Sequence, residues 1–245
     1  MITHLTVDLA RMAAKTQHIL VIGGPAAGGL GVKPGQGFVE QFARRLVQSG
    51  QRVQVDYHTP LDVESANLVL PRLYGSRYDL ILLELGHSFL LGPTVVSGSS
   101  NTLVRAFANL TTSLRVHWLR AHHLFGRVAL LKKLESQLAT LLKHLRPFRH
   151  KVILLTPIPH QEPVAQWLCG RSRPLFLALG EQHGISVFDT HPLIRCQSEY
   201  FLDNDPRLLS AVSHEIIGSY LHAFYQAMPT VIDSAPVIRP EKRSH

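Results

Sequence analysis

Short apolar runs alternate with amphipathic stretches along most of this chain. Five runs, at 18–23, 52–57, 79–85, 151–156 and 185–189, are rich in Val, Ile and Leu. That is the composition of strands covered on both faces of a parallel sheet. Between them, Phe38–Gln48 sets Phe38, Phe42 and Leu46 at fourfold spacing, with Gly50 placed to end the helix. Residues 174–182 and 211–227 carry further helical patterns. Strand–helix alternation predicts one three-layer α/β/α domain over residues 1–228, with a mostly parallel five-stranded sheet and right-handed crossovers. Functional groups are then expected beyond the carboxyl ends of the strands.

Residues 101–148 exceed an ordinary crossover. Leu131, Leu134, Leu138, Leu141 and Leu145 recur at steps of three and four, which predicts an amphipathic helix. A second helix is expected over 103–125, with Gly126 separating the two. Together they form a helical insertion on the one domain. Residues 92–101 read as a loop by composition, and 229–245 as an extended tail.

The net charge of +8 arises within this insertion. Residues 101–150 hold nine Lys and Arg against the single acid Glu135, and the rest of the chain is balanced. Arg115, Arg120, Arg127, Lys132, Lys133 and Lys143 make the basic surface. Concentrated positive charge of this kind attracts an acidic protein, an anionic membrane face or nucleic acid, whereas the bland alternative is a solvated helix face.

No run of about 18 uncharged apolar residues occurs, so no transmembrane helix is expected. The first 17 residues have Asp8, Arg11 and Lys15 spread through them and do not read as a secretory signal. Cys169 and Cys196 lack metal-ligand spacing and are expected as reduced, buried thiols of a cytoplasmic protein, a disulfide between them being the less favoured alternative.

Several blocks together resemble the SGNH (GDSL-type) hydrolases. The first is Ile19-Leu-Val-Ile-Gly23-Gly24-Pro25-Ala-Ala-Gly28-Gly-Leu-Gly31, where that family has a strand ending in Gly-Asp-Ser. Tyr78-Asp-Leu-Ile-Leu-Leu-Glu-Leu-Gly86-His-Ser88 stands at the place of Gly-x-Asn-Asp. Lys151-Val-Ile-Leu-Leu-Thr-Pro157-Ile-Pro159 and His183-Gly-Ile-Ser-Val-Phe-Asp189 are similar to the next two strands. Asp205-Pro-Arg-Leu208-Leu-Ser-Ala-Val-Ser-His214 is similar to the last block, Asp-x-x-His followed by Leu-Ser-Ala-x-Gly-His.

The resemblance implies a serine nucleophile, a histidine base held by an aspartate, and oxyanion donors from the serine N–H, a glycine N–H and an asparagine. The chain departs from that set at nearly every position. Pro25 stands for the serine, and no serine or cysteine precedes Ser49. Proline also lacks the N–H donor. Residues 57–73 contain no glycine, and Ser88 replaces the asparagine. Leu208 occupies the base position, no histidine lies between 192 and 213, and only Asp205 remains. A leucine cannot accept a proton.

The expectation is therefore an SGNH-like scaffold without its triad, requiring no cofactor. It would bind through a residual pocket of Gly23, Gly24, Gly86, His87 and Ser88 and through the basic insertion. Three other readings compete. Gly86-His87-Ser88 resembles the start of a Gly-x-Ser-x-Gly elbow, which would make Ser88 a nucleophile with Asp189 and His214, or with His87. His58, His87 and His191 are expected as polar groups at a pocket mouth, more than as metal ligands. The glycines from Gly23 to Gly31 suggest a phosphate turn but lack its motif register.

Overall fold

The computed structural model describes residues 16–58, 66, 77–85 and 129–228. Five strands form one parallel sheet: β1 (Thr16–Gly23), β2 (Arg52–His58), β3 (Leu80–Glu84), β4 (Val152–Leu155) and β5 (Ser186–Phe188). Their order is β2-β1-β3-β4-β5, so the chain reverses direction of travel across the sheet between β1 and β3. A crevice at the carboxyl ends of strands at such a reversal is where doubly wound folds place ligands.

Both faces of the sheet are apolar, and that fixes the layers. Ile19, Val21, Leu80, Leu82, Ile153 and Leu155 point to one side. There they meet Phe38, Phe42 and Leu46 of α1 (Phe38–Gln48). On the other side Leu20, Ile22, Leu83, Val152 and Leu154 meet Leu134, Leu138, Leu141 and Leu145 of α2 (Ala129–Leu145). Phe176 and Leu179 of α3 (Pro163–His183) join them. The last helix, α4 (Ala211–Ala227), packs on α1 through Ile217 and Leu221. The period-two alternation along β1 therefore distributes side chains to two cores.

The predicted strands are all present to within two residues at each end. The helix expected at 174–182 is instead 21 residues long and begins at Pro163. Proline at the first helical position costs no hydrogen bond, and Gly184 ends the helix with φ 64°. Pro174 lies inside α3 rather than starting it. Its missing N–H would bond the carbonyl of Gly170, an exposed glycine with open space around it.

The block around Asp205 forms a short hairpin. β6 (Phe201–Leu202) pairs antiparallel with β7 (Asp205–Leu209) just before α4. The two thiols also differ from expectation. Both are free, but only Cys169 is buried, with Cys196 exposed. No helix among the described residues is long and apolar enough to cross a membrane. The expected helix at 103–125, the loop at 92–101 and the tail at 229–245 lie outside the described residues.

Candidate functional site

At the carboxyl end of β1 the chain enters a tight turn over residues 24–30. The N–H groups of Gly28, Gly29 and Leu30 bond back to the carbonyls of Gly24, Ala26 and Pro25. Pro25 sits exposed at the head of this turn, while Gly23 and Gly24 are buried beneath it. Gly23 is sterically required, since a Cβ there would come 2.5 Å from that of Ala27 and 3.2 Å from that of Glu84. Glu84, at the end of β3, is 3% exposed, and its Oε2 accepts the Gly24 N–H at 2.8 Å. A buried carboxylate thus ties β1 to β3 where the nucleophile of an SGNH enzyme would begin. The sequence reading passed over it; its signal was an acid closing the otherwise apolar run Leu80–Glu84.

Glu84→Ala is expected to lower stability by about 1–3 kcal/mol, because the buried Gly24 N–H then has no acceptor. Glu84→Gln, which keeps an acceptor oxygen, should recover most of the loss. Urea denaturation of both variants measures this, and equal midpoints would contradict the role given to the carboxylate.

Leu208, which stands where the resemblance puts a base, is held by packing. A Cβ on Gly31, a residue held at φ +93°, would meet Leu202 Cδ1 at 2.6 Å and Leu208 Cδ1 at 2.9 Å. Leu208 therefore closes against the turn that follows Pro25, with Leu202 beside it. Asp205 faces its own strand neighbour. Arg207 donates from Nε to Oδ1 and from Nη2 to Oδ2, each at 2.8 Å. The guanidinium holds the Asp205 carboxyl below its ordinary value. His160, buried in the turn after β4, lies near Arg207 and Asp205. Burial pushes its imidazole below the usual value. Its Nδ1 accepts the Glu162 N–H at 3.0 Å.

Of the residues assigned to an elbow mechanism, the described ones, Asp189 and His214, are each held by other partners. His214 is fully buried between α4 and α1. Its Nδ1 accepts the Phe38 N–H at 3.1 Å, and its ring stacks on Phe38 with centroids 6.0 Å apart. Its Nε2 is buried with no partner, and burial pushes its pKa down to about 4. Asp189 is held by Arg173, whose Nη2 approaches Oδ2 at 2.6 Å, by the Thr156 hydroxyl at 3.1 Å and by the His191 N–H at 3.2 Å. Gly86, His87 and Ser88 lie outside the described residues, as do Arg115, Arg120 and Arg127.

The histidine grouping is corrected by the strand order. His58 ends β2 and His191 follows β5, the two opposite edges of the sheet. Four strand spacings separate them, about 19 Å. No group of metal-ligating side chains occurs among the described residues. The helix after the glycines of the phosphate reading, Gly23 to Gly31, has an occupant at its own N-terminus. Glu40 Oε2 accepts the N–H groups of Gly35 and Gly37 at 2.8 and 3.0 Å. The chain's own carboxylate thus fills the helix N-terminus that an anion would use.

No family model matches the chain, and no curated protein matches its sequence. Solved structures do match its fold. TesA aligns with TM-score 0.58 and 17% identity, covering 87% of this chain and 100% of its own. The lipase/acylhydrolase from Enterococcus faecalis aligns at 0.59 and 16%, over 86% and 95% of the two chains. A protein from Desulfitobacterium hafniense DCB-2 assigned to the G-D-S-L lipolytic family aligns at 0.57 and 10%, over 84% and 98%. Identity at this level speaks to the fold alone. The parallel sheet, its strand order and these neighbours together show that the chain has the fold of the SGNH/GDSL lipolytic hydrolases.

Proposed function

We propose that this chain is a cytoplasmic binding module on the SGNH scaffold that has given up the scaffold's serine-esterase chemistry. The observation that carries this reading is what replaces the triad at the end of β1. Pro25 offers neither nucleophile nor N–H donor, Leu208 packs on Gly31, and Asp205 is engaged by Arg207. Removing either the nucleophile or the base alone from such a triad costs most of the rate, and here both positions are apolar. The surviving polar groups, Glu84, Asp189 and His214, are tied into backbone or ion-pair contacts that hold the fold. The contact surface of the module is its basic insertion.

The protein is expected to show no turnover above buffer on a panel of short-chain aryl esters. The rival reading is an ester hydrolase with Ser88 as nucleophile and His87 or His214 as base. Turnover by the wild type that Ser88→Ala abolishes would overturn the proposal.

A further inference from the structure

Some cations among the described residues have partners within the fold, while others, Lys33 and Arg52 among them, are exposed without an ion pair. Arg45 pairs with Glu215, Arg173 with Asp189, Arg207 with Asp205, and Arg44 bonds Gln41 and Gly35. Lys132, Lys133, Lys143, Arg146 and Arg149, by contrast, are all exposed and have no ion pair among the described residues. They share a stretch whose one acid is Glu135.

Helix geometry puts them on one strip. Leu134, Leu138, Leu141, Leu142 and Leu145 are the buried side of α2. At 100° per residue Lys132, Lys133 and Lys143 fall on the opposite side, with exposed Ser136 and Thr140 between them. The 3-10 turn of residues 146–151 continues the strip. There residues three apart eclipse, so Lys143, Arg146 and Arg149 form a row with steps of about 5–6 Å. From Lys132 to Arg149 the strip is about 28 Å long by helical rise.

Folding accounts for only part of this row. Cations in the last turn of α2 and just beyond it complement the helix dipole, as Lys143 and Arg146 do. Arg149 lies 3.6 Å from the Cβ position of Gly184, at the carboxyl end of α3. Lys132 and Lys133 lie toward the other end of the described helix, whose first described turn holds no acid, so the dipole at its carboxyl end does not account for them.

We infer that this strip binds the phosphate backbone of double-stranded nucleic acid without reading its sequence. The inference rests on the reading of the chain as a binding module. A row of Lys and Arg at repeating short intervals matches a polymer that carries one charge per nucleotide. Among the described side chains, no large exposed apolar one lies on α2 or the 3-10 turn. The strip therefore has no anchor for an amphipathic peptide or for insertion into a bilayer. It has no exposed aromatic on which unpaired bases would stack, and so favours duplex over single strand.

The test is fluorescence anisotropy of a labelled 24-base-pair duplex of mixed sequence with the full chain. The strip covers about eight base pairs, so the probe is long enough. Binding should weaken by several hundred-fold, as an order of magnitude, between 50 and 200 mM salt, with a log–log slope of about −4 to −5 for five contacts. Lys132→Gln with Lys133→Gln should reduce that slope by about 2, and Lys143→Gln, Arg146→Gln and Arg149→Gln together by about 3. All five side chains are exposed, and circular dichroism checks that both variants fold. Lys33→Gln with Arg52→Gln, off the strip, should leave binding unchanged.

Absence of duplex binding by the wild type, or equal slopes in wild type and both strip variants, overturns the inference. So does tighter binding to poly-glutamate or to phosphatidylserine vesicles than to the duplex. Ester turnover would sink the binding-module reading whatever the duplex result. An ester-inactive protein that ignores the duplex would sink only the present inference.

Discussion

Gly218→Ala is expected to destabilise the protein by about 2–3 kcal/mol, although the same change on an open helix face stabilises by about 1 kcal/mol. The reason is the depth of the α1–α4 contact. A Cβ at Gly218 would come 2.6 Å from Gln41 Cβ and 2.8 Å from the carbonyl oxygen of Phe38. Backbone cannot step aside as the end of a side chain can. The two helices must separate, and Phe38, Phe42, Ile217 and Leu221 lose contact together. Gly170 supplies the matched control. It is also helical, in α3, but exposed with nothing within 4 Å of its Cβ position. Gly170→Ala should therefore be neutral or stabilising. For a domain of this size the Gly218 change corresponds to a fall in melting temperature of about 5–10 °C. A Gly218→Ala protein that melts with the wild type would contradict the packing described for α1 and α4.

The sheet was legible in the sequence because its strands are buried on both faces. Runs such as Leu80–Glu84 have no polar alternation to confuse with a helix, and each is bounded by residues that break it. The leucine spacing likewise gave α2: of the five leucines in that pattern, those at 134, 138, 141 and 145 are buried and Leu131 is partly buried. What escaped depended on contacts distant in sequence. The first eleven residues of α3 were missed because Pro174 reads locally as a helix start, whereas the helix tolerates it beside Gly170. Hairpin strands of two and five residues, one of them holding Pro206, carry too little periodicity to declare themselves.

At the site, the departures from the family pattern were legible and the contacts of the residues standing there were not. Pro25 and Leu208, by residue type alone, depart from the family pattern at the positions that the resemblance gives to a nucleophile and a base. That Leu208 closes on Gly31 and that Arg207 takes Asp205 follow from the hairpin, which only the folded chain forms. Glu84 and Gly24 are 60 residues apart, and nothing local links them. His214 matches the final histidine of its sequence block, yet the fold turns it inward onto Phe38, 176 residues away.

That inward turn gives the second large effect, a loss of stability in mild acid. In the unfolded chain the His214 imidazole binds a proton near pH 6.5, and in the folded protein only near 4. Between those values the unfolded state holds more protons, so stability falls as pH falls. The contribution is fully present above about pH 6.5 and fully lost below about pH 4. Its size is on the order of 3 kcal/mol at most, the free energy of the whole shift. His160, His191 and His222 are displaced in the same direction by burial and add to the slope. Asp189 and Asp205 are lowered carboxylates, and their share is lost only in stronger acid. His214→Asn isolates the one group, since the amide oxygen keeps an acceptor for the Phe38 N–H while nothing there titrates. Urea midpoints between pH 4 and 7.5 should fall more steeply for wild type than for the variant. The His214 ring proton, followed by NMR in the wild type, should show no titration above about pH 5. Parallel stability curves, or a ring titrating near 6.5, would mean that this histidine reaches solvent, and would return it to the list of groups able to exchange a proton with a substrate.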